Sequence, residues 1–141
     1  MSDAVAIVLL VGRIVFSIQF VVGAVFHFRM GGQMAGYAQQ MGAPLAKLGG
    51  WPAGVWLGAA SLSVLLGVWP DLGVLMIAAW GIPTAYYIHG WWRYDEDQQQ
   101  TQQTLFMRNL AFIGAGIALF AAFVAFGDDL RFVIVGPLFD F

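Results

Sequence analysis

The chain contains no cysteine. Disulfides, thiol exchange, cysteine-ligated zinc and iron–sulfur clusters within it are thereby excluded. Charge is almost as scarce: Asp, Glu, Lys and Arg together make up 10% of the residues, against about 25% in an ordinary soluble domain. So few charges cannot cover the surface of a globule of this size, and soluble enzyme classes are set aside. The 6 basic residues and the net charge of −2 offer no patch for a phosphate backbone, which excludes nucleic acid as a partner. Also missing are a Ser/His/Asp set, paired carboxylates, a phosphate loop and an H-E-x-x-H motif. No basic leader and no A-x-A cleavage site accompany the first apolar run, which reads as a retained signal anchor.

Apolar residues fill the space left by these absences. They make up 60% of the chain, with 18 glycines on top, and mean hydropathy is +0.77. A membrane-spanning helix needs about 20 mostly apolar residues, and four runs qualify: residues 4–28, 51–69, 72–88 and 105–126. The runs are continuous, whereas a transmembrane barrel strand alternates in polarity over about 10 residues. The expected fold class is therefore all-α, an integral membrane bundle of four transmembrane helices forming one domain, with an apolar tail over residues 127–141.

Only Pro70 and Asp71 follow Trp69 before the third run begins, which predicts a tight antiparallel hairpin with Asp71 as N-cap. Gly81 and Pro83 predict a kink in the third helix, because Pro83 has no N–H for the carbonyl of Ala79. Small residues such as Gly54, Gly58 and Ala60 suit close helix packing inside the bundle. Met34, Tyr37, Met41, Leu45 and Leu48 recur at helical spacing, which predicts a short interfacial helix in the first loop, broken near Pro44. The stretch from Arg93 through Gln103, with its Asp95–Glu96–Asp97 charge run, reads as a solvated loop. The tail, GDDLRFVIVGPLFDF, is too short to span. It reads as lying at the interface, docking on a partner or docking on its own bundle.

Four crossings place the 29–50 and 89–104 loops on one side of the membrane and both termini on the other. Trp51, Trp91 and Trp92 fit an aromatic belt on the loop side, and Trp69 one on the terminal side. Arg29, Lys47, Arg93 and Arg108 lie on the loop side against Arg131 and, within the first helix, Arg13. The positive-inside rule then favours cytoplasmic loops, and with Arg13 counted the contrast narrows to four against two.

An ionisable residue in an apolar run is a candidate functional residue, because leaving it unpaired costs roughly 2.5–3.5 kcal/mol or more. Arg13 either snorkels, makes an internal structural hydrogen bond, or faces the bundle and holds an anion or lipid headgroup. His27 ends the first run and His89 the third, and these helices point the same way. Topology therefore gathers His27, His89, Arg108 and Asn109 at one membrane face, beside Trp91 and Trp92. A bis-histidine haem would need both imidazoles aimed at one iron, and the sequence supplies no second pair; no haem and no metal site is expected. A quinone fits the chemistry better, since histidine hydrogen-bonds to oxygens and titrates near neutral pH. The bland alternative is that both histidines bond headgroups, loop carbonyls or partner chains.

Three segments, GRIVFSIQFVVGAVFHF, YAQQMGAPLA and IHGWWRY…TLFMRNLAFIGAGIALF, together resemble the DoxX-like family of small bacterial membrane proteins. The resemblance runs over residues 11–126. It implies a four-helix bundle in the bacterial cytoplasmic membrane, and some relatives are partners of redox enzymes, including membrane subunits of a thiosulfate:quinone oxidoreductase. Arg13, His89 and the Arg108–Asn109 pair match the family pattern. A lysine often found near the end of the first helix is replaced here by His27, Phe28 and Arg29.

The resulting expectation is a non-catalytic accessory subunit of a larger membrane respiratory or redox complex, with lipids and other integral membrane subunits as partners. Its main alternative is a quinone-interacting oxidoreductase subunit with its site at His27, His89 and Arg108. A lipid-binding or transport protein with a cleft at Arg13 is the third.

Overall fold

A computed structural model describes residues 1–140. The chain is built from four α-helices: α1 (Asp3–Gln40), α2 (Trp51–Leu66), α3 (Pro70–Pro83) and α4 (Glu96–Phe126). A 3₁₀ turn, Ala46–Gly49, precedes α2, and a π-helical turn, Thr84–Ile88, continues α3. Three helical stretches, Asp3–Gln40, Pro70–Arg93 and Glu96–Asp129, are long and apolar enough to cross a membrane. At 16 residues, α2 is apolar but shorter.

The helices pack in chain order, α1 on α2, α2 on α3 and α3 on α4. The Phe20 and Phe112 rings, 5.4 Å apart and edge to face, bring α1 and α4 together. Phe20, Leu57, Val64, Ile77 and Phe123 centre the core. Large apolar residues such as Val8, Val15 and Ile117 point outward, where a soluble helix would carry polar ones. Gly54 and Gly58 face α1, with a Cβ at Gly54 falling 3.1 Å from the Phe28 ring, so the small-residue pair serves packing within the chain. At the other contact between α1 and α2 the backbones themselves meet. A Cβ at Gly50 would lie 2.6 Å from the carbonyl oxygen of Gly31.

Four expectations are corrected. The apolar stripe at 34–41 is no separate interfacial helix. It continues α1 past a kink at Met30 (φ −123°, ψ 23°) as far as Gln40, and Gly42 (φ +69°) and Pro44 then break the chain. The polar stretch after Arg93 is not a loop either, because α4 starts at Glu96. Glutamines are good helix formers, and Glu96 and Asp97 place negative charge where the helix dipole favours it. The second helix is shorter than its apolar run, ending at Leu66 because Gly67 adopts a left-handed φ of +68°, whereas the third stays helical to Ile88 by way of the π turn after Pro83. Finally, Asp71 is not the N-cap. Trp69 holds that position and α3 begins at Pro70.

Asp71 instead holds the tail. Its buried carboxylate accepts hydrogen bonds from the backbone N–H of Leu138 (2.8 Å) and Phe139 (2.7 Å). The tail thus docks on its own bundle, and it does so where α2 ends. The last four carbonyls of a helix have no partner within it. Here Val64 O receives Arg13 Nε (2.9 Å), Leu65 O receives Arg13 Nη2 (2.8 Å), and Leu66 O receives the N–H of Ile134 (3.1 Å). Gly67 O receives the N–H groups of Val135 and Gly136. Arg13 Nη1 also donates to Phe132 O at 2.9 Å. Arg13 is fully buried, so the internal hydrogen-bonding reading of this residue is the one the geometry displays.

Candidate ligand cavity

At the opposite end, a cavity of about 650 Å³ lies between the last turns of α1, the 43–49 segment and the end of α3. Ligand pockets run to about 300–1,000 Å³. About 21 Å of helix rise separates Arg13 from His27, so Arg13 takes no part in this site. Met34, Leu45, Leu48, Trp80, Pro83 and Ile88 make the wall apolar, and His27, Gln33, Tyr37, Thr84 and His89 supply its polar groups.

Each element has a local reason for its place. The kink at Met30 and the break at Gly42–Pro44 redirect the chain, and Leu45 and Leu48 line the cavity together with residues of α1. The π turn after Pro83 widens the end of α3, and the Thr84 hydroxyl donates to the Trp80 carbonyl (2.8 Å).

Both histidines border the cavity, and each is half-buried. His27 Nδ1 donates to the Gly49 carbonyl at 2.8 Å, and the ring stands edge to face with Trp80 at 5.5 Å. A backbone carbonyl can only accept, so Nδ1 carries the hydrogen. His89 Nδ1 lies 2.9 Å from Gln102 Oε1, an acceptor, which assigns the hydrogen to Nδ1 there as well. The Gly50 backbone also bonds the His27 ring, whereas His89 is bonded through Nδ1 alone. The Nε2 of His89 is thereby left without a partner in the protein. Among the described residues Ser17 Oγ is the one buried side-chain polar atom without a partner.

The floor of the loop side is tied down by Arg93 and Tyr94. Arg93 donates to the carbonyls of Met41 (3.0 Å), Tyr86 (2.9 Å) and Tyr87. The Tyr94 hydroxyl donates to Ile88 O (2.5 Å) and is hydrogen-bonded to the Tyr37 hydroxyl (2.6 Å), linking α1 to the turn before α4. Burial, and after it the hydrogen bond with Tyr37, pushes the Tyr94 phenol above its usual range, which keeps its hydrogen in place.

The remaining expected site residues separate from this pair. Arg108 is exposed and lies within electrostatic range of His89, but it does not line the cavity. Asn109 Nδ2 donates back to Leu105 O (2.8 Å) in its own helix. Trp80, Tyr37 and Gln102 are site residues that the sequence reading missed. The helical spacing from Gln102 to the apolar part of α4 was the available signal, had the glutamine run been read as helix. Among the described residues, no group of three or more His, Asp or Glu could hold a metal ion.

No family profile, no curated protein and no solved structure matches the chain.

Proposed function

We propose that the chain is a multi-pass protein of a bacterial cytoplasmic membrane, a subunit of a larger redox assembly, and that its own contribution is a binding site for a quinone-class headgroup. The observation that carries this reading is the apolar cavity bordered by two half-buried histidines, each anchored through Nδ1, with Gln33 and Trp80 on the same wall. An aromatic ring with oxygens on its edge suits apolar walls with a few placed polar groups. The basic residues Arg29, Lys47, Arg93 and Arg108 and the aromatic Trp51 and Trp92 belong to the same end of the molecule, so the cavity sits at the level of a membrane interface. A quinone reaches such a depth by diffusing through the bilayer.

All four helices cross the membrane in this reading. At about 24 Å, α2 is shorter than the hydrocarbon layer of about 30 Å. Backbone groups within that layer must be bonded inside the protein. The donors supplied to residues 64–67 by Arg13 and the tail meet this demand. The resemblance of residues 11–126 to DoxX-like proteins supports the redox setting.

The test is to extract the tagged chain from its native membrane in mild detergent, then identify every protein and lipid that accompanies it. Stoichiometric dehydrogenase or oxidase subunits together with bound quinone are expected. Recovery of the chain alone, with phospholipid only, overturns the proposal. His89→Phe is expected to lower retention of the quinone-class ligand about tenfold, the loss of one good hydrogen bond that the ring accepts from a ligand hydroxyl or, when protonated, donates to a ligand carbonyl, while the subunits still co-purify.

A further inference from the structure

The 6 basic side chains are used in different ways. Arg13 and Arg93 donate to backbone carbonyls, and Arg131 pairs with Asp3. Among the described residues, Arg29, Lys47 and Arg108 make no ion pair and no side-chain hydrogen bond. Arg29 and Lys47 come from different elements, α1 just before the kink at Met30 and the 3₁₀ turn before α2. Both are exposed, and both line one groove of about 490 Å³ that has no acidic residue in its wall. No residue of this groove belongs to the histidine cavity. Glycines shape it. A Cβ at Gly31 would fall 3.0 Å from Trp51 N, so the chain there admits only bare backbone, whereas a Cβ at Gly32 would meet nothing within 4 Å. On the rim, Trp51 is 61% exposed and stands edge to face with Phe28 at 5.3 Å.

We propose that this groove seats the phosphate of an anionic phospholipid headgroup, with Arg29 and Lys47 as its cations. Two cations gathered in one concavity without a counter-charge make a positive potential that draws an anion. Exposed tryptophan belongs to the headgroup level of a bilayer, so Phe28 and Trp51 meet the glycerol and the first acyl carbons while the cations meet the phosphate. A free anion in water would gain nothing from that aromatic rim. A zwitterionic headgroup brings an ammonium that the second cation repels, so a lipid of net negative charge is preferred. The proposal rests on the placement of this end of the molecule at a membrane interface, and it is independent of what the histidine cavity binds.

Native mass spectrometry of the purified chain, stripped of lipid in mild detergent, reads the test. The probes are phosphatidylglycerol, phosphatidylcholine with the same acyl chains, and inorganic phosphate. Phosphatidylglycerol is expected to bind about tenfold more tightly than phosphatidylcholine, and Arg29→Gln or Lys47→Gln each to cost it about fivefold, the worth of one basic side chain beside an anionic headgroup. Gly32→Asp places a carboxylate in the open part of the groove and is expected to abolish the preference with the thermal midpoint unchanged. Arg108→Gln removes a cation of the same end that lies outside the groove, and is expected to leave the preference intact. Equal binding of the two lipids by the unaltered chain overturns the proposal. So does a preference that survives the double Arg29→Gln, Lys47→Gln change, or one lost equally in Arg108→Gln. Displacement of the lipid by millimolar inorganic phosphate overturns the lipid assignment in favour of a free-phosphate site.

Discussion

The two ends of the bundle hold polar groups in opposite ways. At the tail end, Arg13 and Asp71 are both fully buried, yet the guanidinium donates to three carbonyls and the carboxylate accepts from two tail N–H groups. At the cavity end, His27 and His89 are half-buried and anchored through Nδ1, and the second ring nitrogen of His89 has no partner in the protein. A charge whose bonds are all made by the protein holds the fold together. A ring with an open nitrogen beside a cavity has capacity for something from outside. The ranking of candidates by burial alone would have chosen Arg13, and the count of bonds reverses that ranking.

The contrast breaks most visibly at Arg13. Arg13→Met is expected to lower stability in detergent by about 3 kcal/mol or more, since Val64 O, Leu65 O and Phe132 O lose their donor together. Reversible unfolding by a denaturing detergent reads this directly, and a midpoint unchanged from the wild type would make the guanidinium dispensable. Asp71→Ala is expected to cost about 2 kcal/mol by releasing residues 138 and 139. Limited proteolysis should then clip the tail of the variant well before that of the parent. Gly50→Ala puts a Cβ against the Gly31 carbonyl of α1 just before α2 begins, at a cost of about 1–3 kcal/mol. A thermal midpoint equal to that of the parent would show the contact to be looser than 2.6 Å implies. The smallest stability effect belongs to His89→Phe, about 1 kcal/mol for the bond to Gln102. Its retention of quinone should nonetheless fall, and loss of stability without loss of ligand would erase the distinction between the two ends.

Much of the helical layout can be read from the sequence because apolar runs and helices obey the same length rule. Where they part, a local backbone event is the cause. The second run continues to Trp69, but a left-handed Gly67 stops α2 at Leu66. Helix α4 starts nine residues before its apolar run, since hydropathy cannot see a helix made of glutamine. The meeting of His27 and His89 follows from topology alone, as both close helices that run in one direction. Their partners are another matter. Gly49, Trp80 and Gln102 reach the two rings only through the kink at Met30, the π turn after Pro83 and the polar extension of α4. Asp71 misled for a related reason. A carboxylate beside a proline at a helix start looks like a cap, and nothing within the hairpin reveals that the tail, 67 residues later, returns to claim it.

The bond between Arg13 and Phe132 also has a meaning in time. Its partners are 119 residues apart, and at a synthesis rate of about 5–20 residues per second the guanidinium waits roughly 6–24 s for the last of its acceptors. During that interval α1 and the end of α2 are already made. The carbonyls of Leu66 and Gly67 still lack the tail donors that will cover them. Water, lipid phosphate or the insertion machinery has to stand in until residues 132–136 emerge. Entry into the membrane and completion of the fold are thus separate events for this end of the molecule. Residues 132–136 act as the latch that ends this region's dependence on its surroundings.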